Sequence, residues 1–107
     1  RAWLARAVGA SYATDDANSL RVTGAGPLAA LPGFGFGGAD APYPEEYPDT
    51  FAATGAGVVV LRYADGTGAA VGVAGRAAIV GFPLELIDRP ADLAAVVTAL
   101  LDFVAPP

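Results

Sequence analysis

The sequence predicts an α/β domain in which helices cover a sheet that contains an antiparallel three-strand meander. The 107-residue chain is 54% hydrophobic, which is enough for one core. Short apolar runs between residues 57 and 82 are separated by turn residues, a pattern typical of a meander. Residues 90–104 carry a helical apolar repeat. Because the first and last apolar runs lack polar alternation, we expect helices on both faces of the sheet.

The first half of the chain predicts less regular structure. In residues 1–9, four apolar side chains between Trp3 and Val8 fall on one side of a short helix. A short strand is expected at 19–24. Residues 24–54 are dense in Gly and Pro, which predicts an extended or irregular loop region.

The second half carries the clearer signals. The strands of the meander are expected at 57–63, 68–73 and 76–82, joined by the turn sequences ADGT and AG. The helix at 90–104 begins with Pro90, a residue favoured in a first helical turn. Its apolar positions repeat at the spacing of one helix face.

The composition limits the chemistry that this chain can perform. It holds eleven acidic residues and six arginines, for a net charge of −5, and no basic cluster that would neutralise phosphates, so we expect no nucleic-acid partner. No apolar run approaches the roughly 20 residues of a membrane span. His, Cys and Lys are absent, which excludes Ser-His and Cys-His pairs, Schiff-base lysines and a Walker lysine within these residues. We expect no cofactor and no catalysis.

Two acidic groups are candidates for a metal site. Ca²⁺ binds about six to eight oxygen ligands, which flexible acidic loops can supply. Neither group matches the calcium loop of helix–loop–helix proteins, so solvated turns are the favoured interpretation. The candidates are Asp15, Asp16 and Asn18 in the first group, and Glu45, Glu46 and Asp49 in the second.

The segment GFGFGG matches the dinucleotide pattern G-x-G-x-x-G at Gly33, Gly35 and Gly38. That pattern requires a strand before it and a helix after it, and the flanking residues here are rich in proline. We therefore predict a mobile glycine loop without a bound cofactor. Phe34 and Phe36 are expected to be buried beneath it rather than exposed to a ligand.

Glu85 is the candidate catalytic residue, since ligands of α/β sheets gather beyond the carboxyl ends of strands. In the alternative interpretation, which we favour, its carboxylate accepts hydrogen bonds from nearby N–H groups and fixes the local turn. If it is catalytic, Glu85 could act with the other acidic groups in a hydrolase that cleaves polysaccharide.

One pattern resembles the C-terminal half of a class I glutamine amidotransferase-like domain: LRYADGTGAAVGVAGRAAIVGFPLELI, followed by a helix containing LLDF. The resemblance is to the divergent form found in large secreted bacterial proteins such as xanthan lyases. Two earlier stretches look similar to the same form: WLARAVGASYATDDANSLRVTG and YPDTFAATGAGVVVLRY. The resemblance implies a three-layer α/β/α Rossmann-like sheet. Residues 1–107 would then be either a single domain or the C-terminal part of a larger α/β domain.

In that family a strand ends in a Phe-His-Pro-Glu type of motif that supplies catalytic His and Glu. Phe82, Pro83 and Glu85 keep a similar order here, but the chain has no His. The resemblance therefore implies a non-catalytic accessory or scaffold module of a secreted or cell-surface bacterial protein. Its expected partners are neighbouring domains of the parent chain, with polysaccharide as the candidate ligand.

Overall fold

The computed structural model describes residues 9–14, 20–37 and 48–105. Within them the chain forms one sheet of seven strands, one α-helix and two short 3₁₀ helices. The strands are β1 (Ala10–Thr14), β2 (Arg21–Gly24), β3 (Phe34–Gly35), β4 (Thr50–Ala53), β5 (Val58–Tyr63), β6 (Gly68–Val73) and β7 (Ala77–Val80); the helices are the 3₁₀ turns Gly26–Leu28 and Leu84–Leu86 and the α-helix α1 (Pro90–Val104).

The sheet is antiparallel throughout its described strands. Its order is β1-β4-β6-β5-β2-β3, and β7 pairs with β6 as well. Strands β4 and β7 share one edge of β6: Phe51 of β4 lies opposite Gly68, and β7 lies opposite Ala70–Val73. β6 is therefore the strand around which the sheet is assembled, since it pairs with β4, β5 and β7.

The predicted three-layer α/β/α Rossmann-like fold is wrong. Such a fold needs parallel strands joined through helices, whereas every strand pair among the described residues is antiparallel and these residues hold a single α-helix. The physical reason lies in the connections. Residues 64–67 and 74–76 reverse the chain in tight turns, which are too short for the crossover of about a dozen residues that parallel neighbours require.

The continuous apolar run in β5 has a cause other than two covering helix layers. The pairing of β5 with β6 shifts register on both sides of Leu61. Such irregularities break the alternation of side chains between the two faces, so the adjacent Val60 and Leu61 are both fully buried while Val58 is 39% exposed. The predicted meander corresponds to β5, β6 and β7, and the predicted helix at 90–104 is α1.

The main core lies on the face of the sheet that α1 covers. The helix contributes Val96, Leu100 and Phe103 to this core. Beside them stands an aromatic cluster, in which the rings of Phe36 and Phe82 stack with centroids 4.5 Å apart. The other rings of the cluster are those of Phe34 and Tyr63.

The opposite face of the sheet carries a smaller cluster. Ala10, Phe51 and Val71 are buried there, and partly buried side chains of β5 and β7 pack around them. Tyr12, which is 45% exposed, meets the ring of Phe51 edge-on. The two faces are thus unequal, since most of the buried apolar side chains lie on the side of α1.

Several of the sequence predictions concern the first half of the chain. The helix predicted at 1–9 lies outside the described residues except for Gly9, as do most of the acidic candidates. The region 24–54, predicted to be irregular, contains β3, β4 and the 3₁₀ turn Gly26–Leu28 in its described parts.

No helix among the described residues is long and apolar enough to span a membrane.

Candidate functional site

An apolar cleft of about 600 Å³ lies between three segments: the chain that follows β2, the turn between β6 and β7, and the last turns of α1. Its walls are apolar except for one carboxylate, that of Asp102. The lining residues are Pro27, Leu28, Ala30, Leu31, Pro32, Ala74, Gly75, Ala99, Asp102 and Phe103.

The first wall is a run of tight turns anchored in the core. Leu28 donates its N–H to the carbonyl of Ala25 at 2.9 Å, and Leu31 donates to the carbonyl of Leu28 at 3.0 Å. The side chain of Leu28 is 6% exposed and belongs to the main core. Gly24 permits this close return, because a Cβ there would collide with the carbonyl oxygen of Leu28.

The second wall is the turn between β6 and β7, which is tied directly to the helix. Gly75 has φ of +74°, a left-handed conformation that favours glycine. Its N–H donates to the carbonyl oxygen of Phe103 at 2.7 Å. This bond satisfies one of the carbonyls that a helix leaves unpaired at its C-terminal end. The turn and the end of α1 therefore hold each other in place.

The third wall is one face of α1. Ala99, Asp102 and Phe103 stand at i, i+3 and i+4, the spacing that places side chains on the same side of a helix. The ring of Phe103 is 7% exposed and rests on β6 at Gly72, where a Cβ would lie 2.8 Å from the ring atom Cε2. Asp102 is exposed at the cleft margin.

The charged side chain of the cleft lies at the end of α1 and is negative. Asp102 lies in the last turn of α1, and that turn holds no basic residue. The aligned peptide dipoles of a helix add negative potential at its C-terminal end, on top of the charge of this carboxylate. Among the residues that the structure describes, no hydrogen bond or ion pair is found at the Asp102 side chain.

The lining offers mainly apolar surface. It provides aliphatic and aromatic surface, backbone groups and one carboxylate, with no hydroxyl, thiol, amine or imidazole side chain among its members. A cleft of this kind can desolvate an apolar group and hold a charge beside it.

Glu85, the catalytic candidate, lies elsewhere. It is exposed on the 3₁₀ turn Leu84–Leu86 and does not line the cleft. Phe82, just before it, is 4% exposed within the aromatic cluster, and Pro83 leads into the 3₁₀ turn in an extended conformation. The structure therefore explains Phe82 by packing, and the role of Glu85 stays a prediction.

The metal candidates are not brought together in the part of the chain that the structure describes. Asp15, Asp16 and Asn18 lie outside it, as do Glu45 and Glu46. Asp49 is described, and its backbone is engaged in the fold: its carbonyl accepts the hydroxyl of Tyr63 at 2.6 Å, and its N–H donates to Gly81 at 2.8 Å. No group of three or more potential metal-ligating side chains occurs among the described residues.

The glycine-rich segment is held in place by backbone bonds as far as it is described. Phe34 and Gly35 pair with β2, and Asp88 donates its N–H to the carbonyl of Gly35 at 3.0 Å. The expectation that Phe34 and Phe36 are buried is confirmed, since each is 1% exposed. Phe34 and Gly35 thus join the sheet, whereas Gly38, the last glycine of the pattern, lies outside the described residues.

No pattern in the sequence indicates the cleft. Its walls come from three segments that are distant along the chain, so no local pattern joins them. One signal was present: an acidic residue in the last turn of a helix opposes the helix dipole, and Asp102 is such a residue.

No family model, no curated protein and no solved structure matches this chain. The resemblance to glutamine amidotransferase-like domains thus gains no support from relatives, and it stays a prediction. The fold and the cleft define a coarser class: an antiparallel sheet covered by one described helix, with an apolar cleft at the helix end.

Proposed function

We propose that this chain is a non-catalytic binding module that takes the apolar part of a small ligand into the cleft beside the C-terminal end of α1. The observation that carries the proposal is the lining: nine of the ten residues around a space of about 600 Å³ are apolar or glycine. Sites for small molecules are concave and mostly apolar, with volumes of about 300–1,000 Å³.

The rigidity of the walls supports this function. The bond between Gly75 and the carbonyl of Phe103 joins the second and third walls, and successive backbone bonds close the first wall around Leu28. A cleft that is formed before the ligand arrives avoids the entropy cost of ordering side chains on binding.

The lining favours an apolar ligand over polysaccharide. Sugar rings stack on exposed aromatic faces, whereas the aromatic ring in this cleft, that of Phe103, is 7% exposed and packs into the core. A polysaccharide ligand would need another surface. An accessory or scaffold role within a secreted multidomain protein is compatible with an apolar ligand, and we retain it as part of the proposal.

Two observations support a role without catalysis. The chain has no His or Cys, and Glu85, the candidate catalytic carboxylate, does not line the cleft. The alternative of a polysaccharide hydrolase that uses Glu85 has no feature of the described residues in its favour.

The test compares a variant that fills the cleft with a control variant at a neighbouring position. Ala30 lines the cleft and is exposed, so Ala30→Trp should obstruct it without disturbing the core; Ala29→Trp, one residue earlier and also exposed, is the matched control. Binding is measured by the fluorescence of the neutral apolar probe N-phenyl-1-naphthylamine.

We expect the probe to bind the original protein and the Ala29→Trp variant, and binding to weaken at least about tenfold in Ala30→Trp, about 1.4 kcal/mol of binding free energy. Equal binding by both variants, or no binding by the original protein, would contradict the proposal. Thermal unfolding of each variant shows whether it is folded.

A further inference from the structure

The position of Asp102 is unfavourable for the free protein. Its carboxylate lies at the negative end of α1, in a last turn that carries no basic residue. Cations are the groups that stabilise this end of a helix, and an anion there opposes the helix dipole. Within the described residues no ion pair joins a cation to Asp102.

The same carboxylate lines the cleft. Its neighbours at i−3 and i+1, Ala99 and Phe103, line the cleft too, so this part of α1 faces the space in which the ligand is placed. Asp102 is the only one of the ten lining residues with an ionisable side chain. The charge of the lining thus comes from one side chain, at the negative end of the helix that carries it.

We infer that the ligand of this cleft is amphiphilic, with an apolar body and a protonated amine that pairs with Asp102. The inference rests on the proposed function, since it names the chemical class that the cleft accepts. The apolar body lies against Leu28, Leu31 and Phe103, and the ammonium group remains at the margin beside the carboxylate. An anionic head group would be repelled by both Asp102 and the helix dipole.

Three probes of equal chain length test this preference: octylamine, octanol and octanoate, each added below the concentration at which it aggregates. Binding is followed by titration calorimetry and by NMR shifts of the Ala99 and Phe103 amides. We expect octylamine to bind about three- to fivefold more tightly than octanol, the range of an exposed ion pair, and octanoate to bind most weakly. The preference should shrink in about 1 M NaCl, where the screening length is about 3 Å.

The variant Asp102→Asn separates a binding role from a structural one. It should abolish the preference for octylamine and, because it removes an anion from the negative helix end, raise the unfolding temperature by about 2–6 °C. Asp92→Asn is the matched control, since Asp92 lies in the first turn of the same helix. That variant should lower the unfolding temperature and leave the preference for octylamine unchanged.

The outcomes distinguish this inference from the proposed function. If octanol binds as tightly as octylamine, or if Asp102→Asn retains the preference, the inference is overturned while the apolar cleft remains a binding site. If none of the three probes binds, both proposals are overturned. Gain of stability together with loss of the amine preference in Asp102→Asn would support the inference, because a carboxylate with a purely structural role would lose stability.

Discussion

At the scale of single residues, glycines decide how closely the walls of the site approach one another. Gly72 of β6 lies beneath the ring of Phe103, and a Cβ there would lie 2.8 Å from the ring atom Cε2 and 2.9 Å from the Cα of Ala78. The absence of a side chain therefore sets the distance between α1 and the sheet. Gly33, by contrast, has ordinary room, since its nearest neighbour would be 3.4 Å away.

Gly72→Ala should consequently be costly, whereas Gly33→Ala should be tolerated. Overpacking of a core costs about 1–3 kcal/mol, and the collision at Gly72 includes the carbonyl oxygen of Ala77, which cannot rotate away. The free energy of unfolding of both variants is measured in urea. Equal stability of the two variants would show that the helix can shift away from β6 without cost.

Residue-scale patterns predicted some of these features and missed others. The burial of Phe34 and Phe36 follows from their apolar character within a glycine- and proline-rich surrounding. The exposure of Glu85 and its distance from the cleft could not be predicted in this way, because they depend on how the chain turns after β7.

At the scale of elements, α1 is both the cover of the core and one wall of the cleft. Leu100 is 9% exposed and belongs to the main core, whereas the next residue, Leu101, is 58% exposed. The same side-chain chemistry therefore serves two different environments at adjacent positions of the helix. The burial of Leu100 stabilises the packing of α1 on the sheet.

Leu100→Ala should lower the free energy of unfolding by about 2–5 kcal/mol, since it leaves a cavity in the core. Leu101→Ala, the matched control, should change it by less than about 0.5 kcal/mol. Chemical denaturation followed by circular dichroism measures both. A small loss for Leu100→Ala would indicate that α1 contributes little to the core.

Apolar periodicity predicted the helix correctly, but it did not predict how many helix layers cover the sheet. The 90–104 helix follows from its apolar repeat, because a helix with one buried face must place apolar residues at that spacing. The continuous apolar run of β5 led to the wrong expectation of two helix layers. A register irregularity around Leu61 produces the same run on a sheet with one described helix, and local sequence does not distinguish the two causes.

At the scale of the whole molecule, the sheet is organised around β6. This strand pairs with β4, β5 and β7, and its residues from Gly68 to Gly72 are buried. β1, by contrast, is a terminal strand of the described order and pairs with β4 alone among its members. Opening of β6 therefore breaks pairings with three strands.

Hydrogen exchange should reflect this arrangement. Amides in a central buried strand exchange only through opening of the whole domain, whereas terminal strands open locally at lower free energy. We expect the amides of Ala69–Val71 to exchange most slowly and those of Ser11 and Tyr12 at least about tenfold faster, the factor that 1.4 kcal/mol of opening free energy produces. NMR of the native protein in deuterated buffer measures both, and similar rates would contradict a sheet centred on β6.

Local sequence is sufficient to predict the elements of the second half of the chain, because turn residues and apolar spacing act over a few positions. The fold class and the site follow from long-range packing. The pairing of β6 with three strands, and the meeting of the 27–32 segment, the 74–76 turn and α1 around the cleft, join residues far apart along the chain. Such contacts depend on which surfaces bury each other best in the whole molecule, and no short stretch of sequence carries that information.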